Sequence, residues 1–490
     1  MLRILGSARQ LCGGMTRREM LRVGGLGIAG LSLPQILALQ EASADRPLTP
    51  GPSPTSGEGT SFGKAKAIIL IHLYGSPSQL EWVDCKPEAP AEVRGTFGVI
   101  PSSLPDCPVG ELFPTMAKVM DRTTVLRSLT HPYPIHGVAY ALTGVPAIDV
   151  NMELSPHDAK HWPYFGSVVE FVESQRASKA ATSGRGPALP PSVPNNIALP
   201  FRFSTQRVGE VPRAGPYAAF LGSQYDPLWA DFQGKANKGI TKTLRDMTYT
   251  DPDPYVGIEP GSYFVVPDAS SLQPELTLDR LDRRKNLLTQ FNQVLPGLIE
   301  STTGRALTKH QQAALSLLES PKLAEALDLR RESVETRELY GSSLFGQSCL
   351  AARRLVEAGS KVVSVFWDEY GLAGSGWDTH WDHFNRMSKE LAPGFDVGWY
   401  GLITDLDRRG MLDETLVVCT SEHGRTPQIN KAQGGGRDHW SRAYSSLLAG
   451  GGTHRGKVIG ATDKIAGDVV DRPISPKDLL ATMYHLLGID

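Results

Sequence analysis

Three short clusters in the last third of the sequence each combine a carboxylate with an imidazole. They are Asp378 with His380, Glu422 with His423, and Asp438 with His439. Imidazole nitrogens and carboxylate oxygens together bind zinc or manganese in water-accessible sites. A single Asp–His pair is usually a hydrogen-bonded surface pair, but three clusters in neighbouring predicted loops favour metal binding. We therefore predict these six residues as ligands of one or two divalent ions.

The same residue types indicate a class of reaction. Divalent ions held close together can activate a water and stabilise a phosphoryl or sulfuryl oxygen. Arg425 and Arg437 lie beside the second and third clusters and could neutralise an anion that carries charge on several oxygens. These features predict a small anionic ester, phosphorylated or sulfated, as the substrate.

A second group of polar residues lies in the N-terminal half. Ser76 and Ser78 follow a predicted strand, and His131 and His136 precede a predicted helix. They could close the same crevice from the other side, with His136 as the general acid. Gly, Pro and Ser are also ordinary turn formers, so a purely local role stays open. On the first interpretation, His136, Ser78 and Arg425 are the catalytic residues.

Several familiar catalytic motifs are absent from the sequence. No Gly-x-Ser-x-Gly nucleophile elbow, phosphate-binding P-loop or Gly-x-Gly-x-x-Gly motif follows a predicted strand at the required spacing. His383 is left out of the metal set, because on a helix starting near Trp381 it could simply be an exposed residue.

The elements that must position these clusters are strands alternating with helices. Apolar runs predict strands at 66–73, 361–366, 416–420 and 445–449. A strand that is apolar on both faces is typical of the centre of a parallel sheet. The pattern predicts an α/β fold with a mostly parallel central sheet and helices on both faces. Functional loops of such sheets lie at the carboxyl ends of the strands.

The N-terminus has the parts of an export signal. Arg17 and Arg18 precede an apolar, Gly-rich run from Val23 to Leu39, and Ala42-Ser43-Ala44 follows. This resembles a twin-arginine signal peptide, with an amphipathic N-terminal helix as the alternative. We predict that residues 1–44 address the chain to the twin-arginine export machinery. The mature protein would then be periplasmic or extracellular.

Composition bounds the rest of the chain. Residues 45–63 are rich in Pro, Gly and Ser and predict a flexible leader. Residues 64–490 form the predicted α/β domain, with an irregular or helical insertion at about 177–359. The formal net charge of -2 argues against a nucleic-acid binder. No later apolar run is long enough for a membrane span in the mature chain.

The five cysteines include no Cys-x-x-Cys pair, which argues against a Cys-rich zinc site. Cys85 and Cys107 could pair in an oxidising compartment, but their positions in the sequence alone do not establish a disulfide.

Longer motifs give the sequence a family resemblance. They include Leu73-Tyr-Gly-Ser-Pro-Ser78, Trp377-Asp-Thr-His380, Glu422-His-Gly-Arg-Thr-Pro427 and Gly436-Arg-Asp-His-Trp440. Together they resemble the bacterial domain-of-unknown-function family 1501, a sulfatase-like group that often carries a twin-arginine signal. The resemblance covers nearly all of residues 65–490.

That family in turn resembles the alkaline phosphatase and sulfatase superfamily. The stretch Thr415 to Gly424 is similar to the superfamily strand that ends in Ser-Asp-His-Gly. The resemblance implies an alkaline-phosphatase-like fold and metal-ligand roles for Glu422 and His423. It also implies a metal-dependent hydrolase of phosphate or sulfate esters.

The sequence departs from the superfamily pattern at two points. Leu73-Tyr-Gly-Ser76 stands where the first strand normally ends in acidic ligands. No Cys, Ser or Thr lies between His131 and Thr143, where the sulfatase nucleophile would fall. A non-catalytic metal- or anion-binding protein on a degenerate scaffold is therefore an alternative, and a structural envelope protein is a third.

Overall fold

The computed structural model describes residues 61–145, 150–156, 158, 160–182, 193–208, 213–245, 247–266, 321–372 and 374–490. The predicted signal peptide, most of the predicted leader and residues 267–320 of the predicted insertion lie outside the described residues.

In the part of the chain that the structure describes, an eight-stranded sheet forms the centre of the fold. Its strands are β1 (Ala67–Leu73), β2 (Thr123–Leu129), β3 (Asn196–Leu199), β4 (Leu228–Trp229), β5 (Val362–Trp367), β6 (Thr415–Thr420), β7 (Tyr444–Ala449) and β8 (Lys457–Ile459). They lie in the order β8-β2-β7-β6-β1-β5-β3-β4. Strand β7 is antiparallel to both of its neighbours, and every other pair of neighbours is parallel. The predicted α/β fold with a mostly parallel central sheet is confirmed.

Strand β1 shows why the sheet is covered on both faces. All seven of its residues are buried, and it pairs in parallel with β5 and β6, Ile68 lying opposite Val362 and Leu416. Successive side chains of a strand point to opposite faces. Ile69 and Ile71 accordingly pack into one hydrophobic core and Ile68 into a second core on the other face.

Six of the described helices contribute buried side chains to those two cores. They are α1 (Val138–Thr143), α2 (Phe165–Thr182), α3 (Pro321–Leu327), α4 (Leu344–Ala358), α5 (Ala392–Arg408) and α6 (Pro476–Leu486). Side chains of α3, α4 and α5 lie in the core with Ile69, and side chains of α1, α2 and α6 lie in the core with Ile68. Ser475 and Asp478 form a reciprocal capping box at the start of α6, with Pro476 in the first turn.

Shorter elements connect the main ones. Short α-helices lie at Ala91–Arg94, Val150–Glu153, Val334–Leu339 and His383–Arg386, and a π-helical turn lies at Met387–Leu391. Turns of 3₁₀-helix lie at Gln79–Glu81, Met116–Arg122, Ala219–Leu221, Ser223–Tyr225, Leu329–Arg331 and Leu412–Glu414. Short strands also pair outside the central sheet. In the chain up to Val265, Val99–Ile100 pairs with Val109–Gly110, Asp231–Gln233 with Tyr263–Val265, and Gly239–Leu244 with Met247–Pro252. Further along, Gly371–Leu372 pairs with Arg207–Val208, Gly424–Arg425 with His439–Trp440, and Ala461–Thr462 with Val469–Asp471.

The region predicted as an insertion is in part central to the fold. Strands β3 and β4 extend the main sheet beyond β5, and α4 packs against that sheet in the core with Ile69. Residues 177–359 are therefore not a separate layer over their whole length. The two strands contain only four and two residues, which is too short for a clear hydrophobic pattern.

Two further expectations concern membranes and thiols. Within the part of the chain that the structure describes, no helix is long and apolar enough to cross a bilayer. Cys85 and Cys107 are free thiols, and Arg127 Nη2 donates to Cys107 Sγ at 3.4 Å.

The polar loops lie at one edge of the sheet. Strands β1, β2, β5 and β6 all end at this edge, because they run in the same direction. Strand β7 begins there because it is antiparallel to them, with Leu447 opposite Cys419. The loops after four strands and the loop before β7 therefore meet at one edge.

Candidate metal centre

The loop after β6 presents His423 with one free ring nitrogen. His423 Nδ1 lies 2.8 Å from the carbonyl oxygen of Gly424. Since a carbonyl can only accept, Nδ1 carries the hydrogen and the neutral ring has its lone pair on Nε2. Nε2 is fully buried and has no hydrogen-bond partner among the described residues. A buried imidazole nitrogen left in this state fits a metal ligand.

The loop after β5 brings Asp378 against the end of β1. The Trp377 amide donates to Tyr74 O at 2.9 Å. Gly75 has φ +88°, and a Cβ at this position would lie 2.3 Å from the backbone nitrogen of Asp378. Only glycine permits this close approach at that φ. The turn Tyr74-Gly75 thus determines where the Asp378 carboxylate lies.

Two more histidines meet this carboxylate. His380 Nε2 and His439 Nε2 each lie 3.1 Å from Asp378 Oδ1, and the two nitrogens are 3.1 Å apart. His380 Nδ1 lies 2.7 Å from Asp438 Oδ1, and His439 Nδ1 lies 3.4 Å from the carbonyl oxygen of Pro134. In both rings, therefore, Nε2 faces Asp378 and Nδ1 faces a different oxygen on the opposite side of the ring.

His136, from the loop after β2, completes the arrangement. Its Nδ1 lies 3.1 Å from Glu422 Oε1, and its Nε2 lies 3.4 Å from Asp378 Oδ2. The ring stacks on Tyr74 at a centroid distance of 5.0 Å. Burial opposes protonation of His136, but the carboxylates of Asp378 and Glu422 outweigh it and raise the pKa of His136 to about 9.

We call the five residues Asp378, His136, His380, His423 and His439 the histidine–aspartate cluster. Candidate ligand atoms lie within 4.8 Å of one another in two overlapping groups that share His439. One group contains His136 and His423, and the other contains Asp378 and His380. The donor set is rich in imidazole, which suits zinc or another transition metal better than magnesium or calcium. These residues fit a divalent ion.

The electrostatics keep most of the cluster ready to bind a cation. Burial lowers the pKa of His423 well below its ordinary value, and the neighbouring His439 and Arg425 add to the effect. Burial likewise lowers the pKa of His439 to about 4. Burial opposes ionisation of Asp378, but Arg425 and the neighbouring histidines outweigh it and hold its pKa well below the ordinary value. Neutral imidazoles beside an ionised carboxylate are the states that ligate metals.

The remaining residues predicted from the sequence lie around this cluster. Glu422 and Asp438 contact the Nδ1 atoms of His136 and His380, and neither belongs to a group of convergent ligand atoms. Arg425 is buried, with Nη2 on Asp378, Nε donating to Ser76 O and Nη1 donating to the carbonyl of Arg437. Ser78 is buried, and its Oγ has no hydrogen-bond partner in the described part of the chain.

Arg437 lies away from the cluster. Its guanidinium is buried against Glu81, and it also donates to the carbonyl oxygens of Thr426 and Val93. The suggested role of Arg437 toward a bound anion therefore has no support in the contacts of its guanidinium.

Sequence reasoning missed His72 and misjudged His383. His72 Nε2 lies 3.3 Å from Glu422 Oε2, beneath the cluster. The available signal was a single polar residue within the apolar strand β1. The expectation that His383 is exposed is wrong, because its amide donates to Gly435 O and the residue lies beneath that loop. Its Nδ1 is 2.8 Å from Thr379 Oγ1, and its Nε2 is 3.4 Å from Glu81 Oε2.

Fold and site together define an α/β protein with a buried histidine–aspartate cluster at the carboxyl edge of its central sheet. The family described as Protein of unknown function (DUF1501) matches residues 65–490, and the chain belongs to this family. The predicted family resemblance is confirmed. No curated protein matches the chain.

Solved structures of low identity are similar to the chain. The crystal structure of Ps i-CgsB has a TM-score of 0.35 and 12% identity, covering 87% of this chain and 72% of that chain. The PsFucS1 sulfatase from Pseudoalteromonas sp. has a TM-score of 0.35 and 11% identity, covering 87% and 68%. The phosphonate monoester hydrolase SpPMH from Silicibacter pomeroyi has a TM-score of 0.35 and 11% identity, covering 87% and 74%.

Proposed function

We propose that this protein is an exported, metal-dependent hydrolase of small anionic phosphate or sulfate esters. The observation that carries the proposal is the convergence of imidazole nitrogens on one carboxylate, with His423 Nε2 buried and unpartnered among the described residues. Asp378, His380, His423 and His439 are the residues that would hold a zinc or manganese ion.

The exposure of the cluster suits a reaction with a small substrate. The side chains of His380 and His439 are 22% and 20% exposed, whereas His423 is fully buried. A substrate would therefore approach over His380 and His439. A divalent ion bound by these residues would supply Lewis-acid polarisation of a phosphoryl or sulfuryl oxygen.

Hydrolysis of an ester also needs a proton for the departing alcohol. His136 borders the cluster, with Nε2 facing Asp378 and Nδ1 held by Glu422. We assign it the role of general acid, delivering the proton from Nε2. Arg425 keeps Asp378 in place through Nη2, while its other described contacts anchor it to the backbone.

The choice of ester rests on the sequence resemblance. Ser421-Glu-His-Gly424 directly follows β6 and is similar to the superfamily segment Ser-Asp-His-Gly. Since no Cys, Ser or Thr lies between His131 and Thr143, the proposed reaction uses water directly and no covalent enzyme intermediate. The same feature makes a metal-binding protein without hydrolytic activity the alternative.

One experiment separates these functions. The chain from residue 45 would be purified, its metal content measured by elemental analysis, and a panel of phosphate and sulfate esters tested. We expect stoichiometric metal and turnover of at least one ester class. Metal without turnover of any ester would support the binding protein, and absence of stoichiometric metal after reconstitution with zinc or manganese would reject both.

Export is the final part of the proposal. Arg17-Arg18, the following apolar run and Ala42-Ser43-Ala44 support passage through the twin-arginine machinery. This route would deliver a chain already folded around its metal to the periplasm or the medium.

A further inference from the structure

We infer that Glu422 and Asp438 are positioning carboxylates that orient His136 and His380, each with Nε2 toward Asp378, and are not themselves ligands. The inference rests on the proposed metal centre. It differs from the superfamily resemblance, which implies a ligand role for Glu422.

The first argument is that both oxygens of Glu422 are already engaged. Oε1 accepts from the Gly75 amide at 2.7 Å and lies 3.1 Å from His136 Nδ1. Oε2 lies 3.3 Å from His72 Nε2. The carboxylate is fully buried between the two rings, so it would have to abandon these contacts to reach an ion on the far side of His136.

Asp438 makes the same kind of contact with less burial. Its Oδ1 lies 2.7 Å from His380 Nδ1 and accepts from Asn430 Nδ2 at 3.3 Å. Its side chain is 55% exposed, while the Nε2 atom of His380 points the other way, toward Asp378. The Asp438 carboxylate thus lies behind the His380 ring with respect to the cluster.

All four histidines of the cluster follow one rule. Each Nδ1 lies against an oxygen, which belongs to Glu422 for His136, to Asp438 for His380 and to a backbone carbonyl for His423 and His439. The carbonyl facing His423 accepts only, and His423 Nε2 has no partner among the described residues, so its hydrogen lies on Nδ1. In His380 and His439, Nε2 faces Asp378 Oδ1, and an ion bound at Nε2 would leave the hydrogen on Nδ1. Metal-ligating histidines donate their second ring nitrogen in this way, which determines the tautomer and the ring orientation. Two of the four oxygens are carboxylates and can be altered by mutation.

The test compares metal binding in three variants. In Asp438→Ala, behind the proposed ligand His380, we expect the stoichiometry of zinc to stay at the wild-type value while its Kd rises about 10–100-fold. In Glu422→Gln, behind His136, which is not a proposed ligand, the stoichiometry and the Kd should both stay near the wild-type values, and only the alkyl-ester turnover assigned to His136 should fall. The matched control is Asp396→Asn, a buried carboxylate whose described hydrogen bonds go to Thr115 and Met116 and to no residue of the cluster, and it should leave the Kd unchanged. Loss of a full equivalent of zinc from either acidic variant, as expected for His423→Ala, would overturn the inference.

A second measurement does not depend on metal. In the metal-free protein, the nitrogen-15 chemical shift of His380 Nδ1 should change in Asp438→Ala, because the substitution removes the carboxylate that Nδ1 contacts at 2.7 Å. A ring of His380 unchanged by this substitution would also overturn the inference. If the wild-type protein binds no zinc or manganese, the proposed function fails, and this measurement still tests the positioning role.

Discussion

The guanidinium of Arg437 forms an ion pair with the carboxylate of Glu81, and neither side chain reaches solvent. Arg437 Nε lies 3.2 Å from Glu81 Oε1, and His383 Nε2 lies 3.4 Å from Glu81 Oε2. This pair lies under the loop that precedes His439, so it links the first turn after β1 to the candidate metal centre.

Replacement of Glu81 by Gln should destabilise the protein by about 3–5 kcal/mol at pH 7, because the charge of Arg437 would stay buried without its partner. Chemical denaturation of the variant measures this loss. Glu88→Gln, at an exposed carboxylate, is the control and should stay within about 0.5 kcal/mol of wild type.

The contribution of Glu81 should also depend on pH. Burial opposes its ionisation, but Arg437 and His383 outweigh burial and lower the pKa of Glu81 from 4.5 to about 2. A carboxylate with a depressed folded-state pKa stabilises the fold above its unfolded pKa and loses that contribution as pH falls through the folded value. The stability difference between wild type and Glu81→Gln should therefore shrink between pH 4.5 and about 2. A difference that stays constant over this range would contradict the assignment.

The ligand role of His423 gives a direct prediction. In His423→Ala, the affinity for zinc should fall by more than the roughly 10–100-fold that is lost when a residue hydrogen-bonded to a ligand is removed. Ester hydrolysis should disappear with the metal. His454→Ala, at an exposed histidine, is the control and should keep both properties. Full metal content and activity in His423→Ala would show that the centre lies elsewhere.

The turn at Gly75 should be intolerant of any side chain. Gly75→Ala would bring a Cβ within 2.3 Å of the Asp378 nitrogen at a φ of +88°. We expect a loss of stability of about 1–3 kcal/mol and weaker zinc binding, since Asp378 must shift. Thermal denaturation and zinc titration measure the two effects. Gly261→Ala, where a Cβ would meet no atom within 4 Å, should leave zinc binding at the wild-type level.

How far the sequence predicts this site differs from loop to loop. Glu422 and His423 directly follow an apolar strand, so their position at the sheet edge could be predicted from β6 alone. The Asp378–His380 and Asp438–His439 pairs could be identified as candidate metal ligands from their residue types. That the pairs converge was a hypothesis that the sequence could not establish, because convergence depends on the antiparallel course of β7 and on the close approach that Gly75 permits.

The sequence could not show which carboxylates are ligands and which position a histidine, and the reason is physical. A carboxylate can either ligate the ion or accept a hydrogen bond from the Nδ1 atom of a neighbouring histidine. Which of the two it does depends on the distances between atoms of loops that are far apart in the sequence. Glu422 and His136 are far apart in the chain, yet Oε1 and Nδ1 are 3.1 Å apart. The sequence did not predict His72 as part of the site, because a histidine in a buried strand is usually a core residue.

Export can be tested without any assay of activity. Changing both Arg17 and Arg18 to Lys should retain the precursor in the cytoplasm, since the paired arginines are the address read by the export receptor. Fractionation with immunoblotting measures the distribution. Arg22→Lys, outside the pair, is the matched control and should be exported normally. Normal export of the double variant would contradict the twin-arginine assignment.

The role of His136 can be separated from metal binding by the choice of leaving group. General-acid catalysis matters most for a poor leaving group such as an alkyl alcohol and least for p-nitrophenol, which departs without a proton. His136→Ala should therefore keep its zinc through Asp378, His380, His423 and His439, and lose turnover of alkyl esters by about 100-fold or more. Turnover of p-nitrophenyl esters should fall far less. Elemental analysis of the same samples provides the internal control. If His136→Ala instead loses zinc and both substrates together, His136 serves as a ligand through Nε2, in the group it shares with His423 and His439.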